Sequence, residues 1–241
     1  MANMATPASA VLLRNEIEAR IPAAFSFCTR QHRGSIPTGI ASIDDAVRGI
    51  PLHALTEICG SNLASSGKTS LVMSLLARAT QQDNFCALID GQDAFDPASA
   101  EASGVNLSRL LWVRCGKTKQ KLKPLEQAFK VADMLVQSAG FGLIVIDLSD
   151  FPERLVRKVP HTSWFRFSRV VERQPTALVF LEREPHAASC AGLVLSVKSR
   201  PAVVKGALFT QCGMEVEILR TLERKPPQAL KPLFSLRSQW A

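Results

Sequence analysis

The sequence predicts an α/β domain with a mostly parallel, mixed sheet and helices on both of its faces. Three observations carry this. Short, near-continuously apolar runs such as "ALTEIC" (54–59), "GLIVIDL" (142–148) and "ALVFLE" (177–182) have the composition of strands buried on both faces. Runs with helical spacing alternate with them, the order expected of strand–helix–strand units. The first of these apolar runs passes through a Gly/Ser-rich turn into a helix by way of Gly67, Lys68 and Thr69.

Each element has its own signal. Residues 10–21 place Leu13, Ile17 and Ile21 at four-residue spacing, and Pro22 ends that helix. A turn-rich linker runs to Gly34. After strand 54–59 and its loop, residues 68–80 form a helix with Leu71, Leu75 and Ala79 on one face. "FCALID" (85–90) is a strand, and "PASAEAS" (97–103) is a short helix with Pro97 in its first turn. "RLLWVRC" (109–115) is a strand, and 125–139 is a helix closed by Gly140. Strand 142–148 ends near Asp147. Strands 177–182, 191–199 and 214–222 complete the sheet. The organisation expected is an N-terminal helix and linker (1–34), a core domain (35–225) and a basic tail (226–241) that contains Pro226, Pro227 and Pro232 and lies outside the core.

Composition narrows the function classes. The 241 residues are 46% hydrophobic, enough for a full core, which argues against global disorder. A formal charge of +8 suits an anionic partner such as nucleic acid, nucleotide or an acidic protein face. The six cysteines are scattered, with no C-x-x-C pair and no clustered histidines, so reduced thiols in a cytoplasmic protein without a zinc site are expected. "MANMATPASA" lacks the charged start and long apolar stretch of a signal peptide. No run approaches the ~18 apolar residues of a membrane span, so no membrane partner is expected.

The stretch "TEICGSNLASSGKTSL" carries the chemistry. Gly67, Lys68 and Thr69 supply a loop amide, a cation for phosphates and a hydroxyl for magnesium, with a helix N-terminus at the phosphates. Six residues, not the usual four, separate Gly60 from Gly67. Either Asn62 stands in for the first glycine, since asparagine tolerates left-handed backbone, or Gly60 keeps the role and the loop bulges. Ser65 and Ser66 complete the loop.

With "IPTGIASIDDAV" (36–47), "SSGKTSL" (65–71), "ALIDGQDAFDPASAEASGVNLSRLLWV" (87–113) and "GLIVIDL" in order, the chain resembles the ATPase core of the bacterial recombinase RecA over about residues 10–222. "AFDP" followed by "SGV" is the most specific part of the likeness. The connection 182–191 is short for RecA's second DNA loop, and only a tail follows the core. Shortened in this way, the chain also resembles the ImuA family, RecA-like accessory proteins of bacterial mutagenic translesion synthesis.

The resemblance implies a RecA-type P-loop domain that binds ATP and magnesium, with Thr69 and Asp147 at the metal. It implies that Asp96 contacts adenine, although Asp96 could equally cap the helix beginning at Pro97. Ser99 stands where the family has a stacking tyrosine. Gln92 stands where RecA has its catalytic glutamate. Glutamine can orient water but cannot take its proton, so weak or absent hydrolysis is expected and no catalytic residue is assigned. Glu182 and Arg183 replace the Asn-Gln pair that senses the γ-phosphate in RecA. Arg220 matches one of two lysines that reach across its filament interface.

Residues 151–173 carry six Lys/Arg against two acids, interleaved with Phe151, Trp164, Phe165 and Phe167. Basic charge with aromatics suits single-stranded DNA, and this stretch lies where RecA has its first DNA loop. Arg157, Lys158, Trp164, Arg166 and Arg169 are the candidate DNA contacts, against an amphipathic helix whose aromatics face the core. Residues 109–130 carry seven Lys/Arg against Glu126 alone, and within them 117–123 are expected to be solvated.

The expectation is a regulatory protein of the DNA-damage response. It would bind an ImuB-type polymerase homologue and/or RecA, with single-stranded DNA a further partner and self-association through helix 10–21. A DNA-dependent ATPase of recombinational repair is the alternative. A SulA-type cell-division inhibitor is a second alternative, although no residue indicates a tubulin-like target.

Overall fold

The computed structural model describes residues 34–60, 66–115, 123–200, 203–205, 208–211, 213–221 and 228–230. The helix expected at 10–21 lies outside them, as do Asn62 and Ser65.

An eight-stranded sheet forms the centre of the described structure. In chain order its strands are β3 (Ala54–Cys59), β4 (Cys86–Asp90), β5 (Leu110–Arg114), β6 (Leu143–Asp147), β7 (Ala177–Glu182), β8 (Ala191–Ser199), β11 (Met214–Arg220) and β12 (Gln228–Leu230). Their spatial order is β12-β11-β8-β3-β7-β6-β4-β5. β3 is parallel to β7 and β8, and β6 is parallel to β7 and β4, while β11 runs antiparallel to β8. The mixed, mostly parallel sheet expected from the apolar runs is therefore the one observed. Two small antiparallel pairs form separate sheets: β1 (Ser35–Ile36) with β2 (Ile50–Pro51), and β9 (Val203–Lys205) with β10 (Leu208–Gln211).

Alternation along the strands feeds two cores. On β7, Ala177, Val179 and Leu181 face one core, while Leu178 and Phe180 face the other. The first core packs α2 (Lys68–Gln81) through Leu71, Leu75 and Ala79, the stripe that the helical spacing predicts, and also α1 (Ala41–Val47) through Ile43 and Val47. Asp44 of α1 folds back on the preceding turn, accepting from Thr38 N at 2.7 Å and Gly39 N at 3.1 Å, which sets Gly39 against Ser74 and Arg78 of α2. α3 (Pro97–Ala102) seals the same face with Ala100.

The second core holds α4 (Pro124–Ser138) and α6 (His161–Val171), preceded by the single turn α5 (Glu153–Val156). On α6, Trp164, Phe167, Ser168 and Val171 are buried at i, i+3, i+4 and i+7. Trp164 meets Phe180 edge-on, with ring centroids 4.8 Å apart, and Phe129 at 5.5 Å. The stretch 151–173 is thus largely two helices packed on the sheet, and of its candidate contacts Trp164 is corrected. At 1% exposure its indole is a core side chain and presents no face to a base.

One further difference concerns the tail. Gln228–Leu230 pairs with Val216–Ile218 as the antiparallel edge strand of the sheet, although the sequence reading places this segment outside the core. Its ladder is formed by main-chain groups, which carry no sequence signal of their own. Among the described residues, no helix is long and apolar enough to cross a membrane. Cys59, Cys86, Cys115 and Cys190 are buried and outside any disulfide among the described residues.

Candidate nucleotide site

The site lies at the carboxyl ends of β3, β4 and β6, where α2 begins. Gly67 caps that helix with a φ of 86°, in the left-handed region that glycine occupies without strain. A Cβ added there would come within 2.7 Å of the terminal methyl of Met214, which can swing aside, so it is the left-handed backbone that calls for glycine. The Ser66 hydroxyl accepts from Lys68 N at 3.4 Å.

Lys68 is only 5% exposed, and its ammonium donates to the main-chain oxygen of Glu182 at 2.9 Å. Gly60 N donates to the same oxygen at 3.2 Å. One carbonyl at the end of β7 therefore braces both ends of the phosphate loop. Burial pulls the Lys68 ammonium below its usual range, and the Asp147 carboxylate opposes that shift. Asp147, at the end of β6, is pushed above the ordinary carboxylate range by burial, while accepting from Ser149 N at 2.9 Å.

Ser66, Gly67, Lys68, Thr69 and Asp147 line one cavity of about 280 Å³, together with Asp90, Phe95, Ser149, Asp150 and Leu181. The structure thus brings together the loop, the cation, the hydroxyl and the acid named from sequence. The set fits a phosphate chain and a hard cation. Thr69 and Asp147 offer oxygen ligands, and the start of α2 offers main-chain amides. A second hollow of about 660 Å³ adjoins it between α2 and α3, sharing Thr69, Ser70 and Met73 and reaching Arg78, Gln81 and Ser99.

Other expected residues fall elsewhere. Asp96 caps α3, accepting from Ala98 N at 3.3 Å and Ser99 N at 3.0 Å, which holds its carboxyl below the usual range, with the Ser99 hydroxyl contributing most. Gln92 is exposed on the turn after β4, where its main-chain nitrogen donates to Asp90 at 3.2 Å. Asp93 has φ 61° and pairs with Arg114. Arg183 donates to the main-chain oxygen of Ser149 at 2.9 Å. Of the basic residues on 151–173, Arg157 pairs with Glu153 and Glu184, Arg166 with Asp133 and Arg169 with Glu172, while Lys158 is exposed.

Three participants escaped the sequence reading. Asp90 accepts from Gln92, Ala94 and Phe95 main-chain nitrogens and from the Trp112 indole, and so shapes the loop beside the cavity. Glu57 and His186 form a buried cluster behind Glu182 on the sheet's other face. The signal for Glu57 was present: a lone carboxylate inside the apolar run "ALTEIC".

Comparison with known proteins agrees with this arrangement. The family described as RecA N-terminal domain matches residues 28–151. Protein RecA of Rickettsia bellii (strain RML369-C) is 38% identical over 115 residues, which is 47% of this chain and 31% of that protein. Protein RecA of Marinobacter nauticus is 38% identical over 122 residues, 48% of this chain and 33% of that protein. Protein RecA of Fusobacterium nucleatum subsp. nucleatum is 40% identical over 115 residues, 47% of this chain and 28% of that protein. The chain spans about a third of the length of these curated relatives. The matched segment runs from before β1 to the end of the β6 turn and contains Gly67, Lys68, Thr69 and Asp147. The chain belongs to the RecA N-terminal domain family.

Proposed function

We propose that this protein is a RecA-like accessory or regulatory protein of the DNA-damage response that binds ATP with magnesium and turns it over poorly or not at all. One observation carries the reading: Gly67, Lys68, Thr69 and Asp147 line a single cavity at a helix start, while residue 92 is a glutamine. Lys68 and the α2 amides would hold the phosphates, and Thr69 and Asp147 the magnesium. The adjoining hollow has room for the rest of the nucleotide. Bound magnesium would neutralise phosphate charge. Gln92 can orient a water by hydrogen bonding but supplies no carboxylate to accept its proton.

In the finer reading, the protein supports mutagenic translesion synthesis in the cytoplasm by docking an ImuB-type polymerase homologue and/or RecA. The proposed organisation is an N-terminal helix and linker (1–34) used for association, a core (35–225) and a tail (226–241) used for docking, of which Gln228–Leu230 also pairs with the core sheet. Arg157, Lys158, Arg166 and Arg169 support single-stranded DNA as a weak, salt-sensitive partner.

The test is thermal shift with ATP and magnesium, beside a sensitive phosphate-release assay. The wild type should be stabilised by mass action, Lys68→Ala should lose that shift, and DNA should not stimulate release. Absence of any shift would sink nucleotide binding. Brisk, DNA-dependent release would make the protein an ATPase instead.

A further inference from the structure

We infer that Glu182 and His186 are positioning residues of the phosphate site: Glu182 holds Lys68 through its main-chain oxygen at the end of β7, and its side chain with His186 couples nucleotide binding to the uptake of a proton. The inference rests on the nucleotide reading above.

The geometry has two sides. The main-chain oxygen of Glu182 receives the Lys68 ammonium and Gly60 N at the site. The Glu182 side chain is 1% exposed and meets His186 Nδ1 at 2.5 Å on the other side. Neighbouring β3 adds Glu57, fully buried, whose Oε1 accepts His186 N and Ala187 N at 2.6 Å each. Glu57 Oε2, Glu182 Oε1 and His186 Nε2 are buried without a hydrogen-bond partner. Two carboxylates and one imidazole therefore share a largely buried space, and their charges depend on one another.

Other charged groups act on this cluster from each side. Lys68 of α2 favours ionised Glu182, and Glu57 opposes it. Glu153 of α5 favours protonated His186. Glu184 of the same connection is held by Arg157, and Arg220 of β11 favours ionised Glu57 while donating to Ala188 O. Cys59 lies close by as a thiol that burial keeps protonated. Of these, Lys68 is the cation that a nucleotide would claim.

When phosphate oxygens draw the Lys68 ammonium towards themselves, Glu182 keeps less of its balancing cation and the region gains negative charge. The Glu182–His186 couple then binds a proton more tightly than before. Its affinity for protons rises on binding, so nucleotide affinity is greatest at low pH and is lost as pH rises through the couple's range.

Calorimetric titration of the full chain with ATP and magnesium tests this at about pH 6.5 and about pH 8, where uptake of up to one proton gives at most roughly tenfold per pH unit. We expect wild-type affinity to fall by about 3–10-fold more than that of the double variant Glu182→Gln/His186→Gln, in which neither member of the couple can take up the proton. The wild-type heat should also differ between buffers of different ionisation enthalpy, a readout that needs no variant. Parallel pH profiles with buffer-independent heat overturn the inference and leave nucleotide binding standing. No binding at either pH overturns the nucleotide reading, and this inference with it.

Discussion

The main-chain nitrogen of His186 donates to the carboxylate of Glu57 at 2.6 Å, joining residues 129 positions apart. Glu57 sits in the middle of β3, and His186 follows β7 in the connection to β8. The contact pins that short connection to the sheet. In register, Glu57 lies opposite Phe180 and Cys59 opposite Glu182, so the two carboxylates stand near one another on adjacent strands.

Removing the Glu57 carboxylate should therefore be costly. Glu57→Ala leaves two inward main-chain N–H groups without an acceptor, each worth about 1–3 kcal/mol. A total loss of roughly 2–5 kcal/mol is expected from the denaturation midpoint. Glu57→Gln keeps an accepting oxygen and should lose less than half as much. Equal losses would show that the N–H contacts contribute little.

Stability should depend on pH through the same cluster. Burial raises Glu182 to about 7 and Glu57 above the carboxylate range, and the Glu182 partner raises His186. A raised folded-state pKa favours the protonated form in the fold. The stabilisation is complete below the unfolded values and fades as pH rises from the ordinary carboxylate range through about 7. Glu182→Gln has no such proton to lose, so its stability should fall less than the wild type's across that window. Melting curves of both proteins at several pH values provide the check.

Trp164→Ala should cost about 3–5 kcal/mol, because it opens a cavity between Phe129, Phe167 and Phe180. Arg166→Ala and Arg169→Ala break only exposed pairs and should each cost roughly 1 kcal/mol or less. Fluorescence anisotropy with single-stranded DNA at two salt concentrations separates the roles. Combined loss of Arg157, Lys158, Arg166 and Arg169 should weaken binding and flatten its salt dependence. Binding unaffected by both salt and these changes would remove DNA from the proposal.

Gln92→Glu should raise phosphate release, by up to about 10²-fold if a general base is the missing part. The wild-type melting shift with ATP should persist in this variant. No gain in release would mean that the site lacks more than a proton acceptor.

Asp96→Ala removes the cap of α3 and should cost about 1 kcal/mol. An unchanged ATP shift in this variant would leave Asp96 a cap alone, while a reduced shift would add a nucleotide contact.

Much of the architecture was readable from local pattern. β7 and β8 fall at the residues expected, 177–182 and 191–199, because a strand stretch covered on both faces is mostly apolar, as in 177–181 and 191–195. That Lys68, Thr69 and Asp147 share one cavity was legible too, since a loop between a strand and a helix and the end of a nearby parallel strand meet at one sheet edge. Only the tertiary structure decided the surroundings of these residues. Whether Trp164 faces solvent or core depends on which side of α6 meets Phe129 and Phe180, and periodicity alone leaves the side open. Gln228–Leu230 joins the sheet through main-chain hydrogen bonds that any sequence could make. The Glu57–Glu182–His186 cluster forms because parallel pairing sets β3 beside β7, and no separation along the chain encodes that adjacency. The sequence by itself determined most of the central strands and helices and where the loop motif lies, which rest on local periods and contiguous residues. Packing determined which charges are buried together, because burial is a property of the assembled sheet.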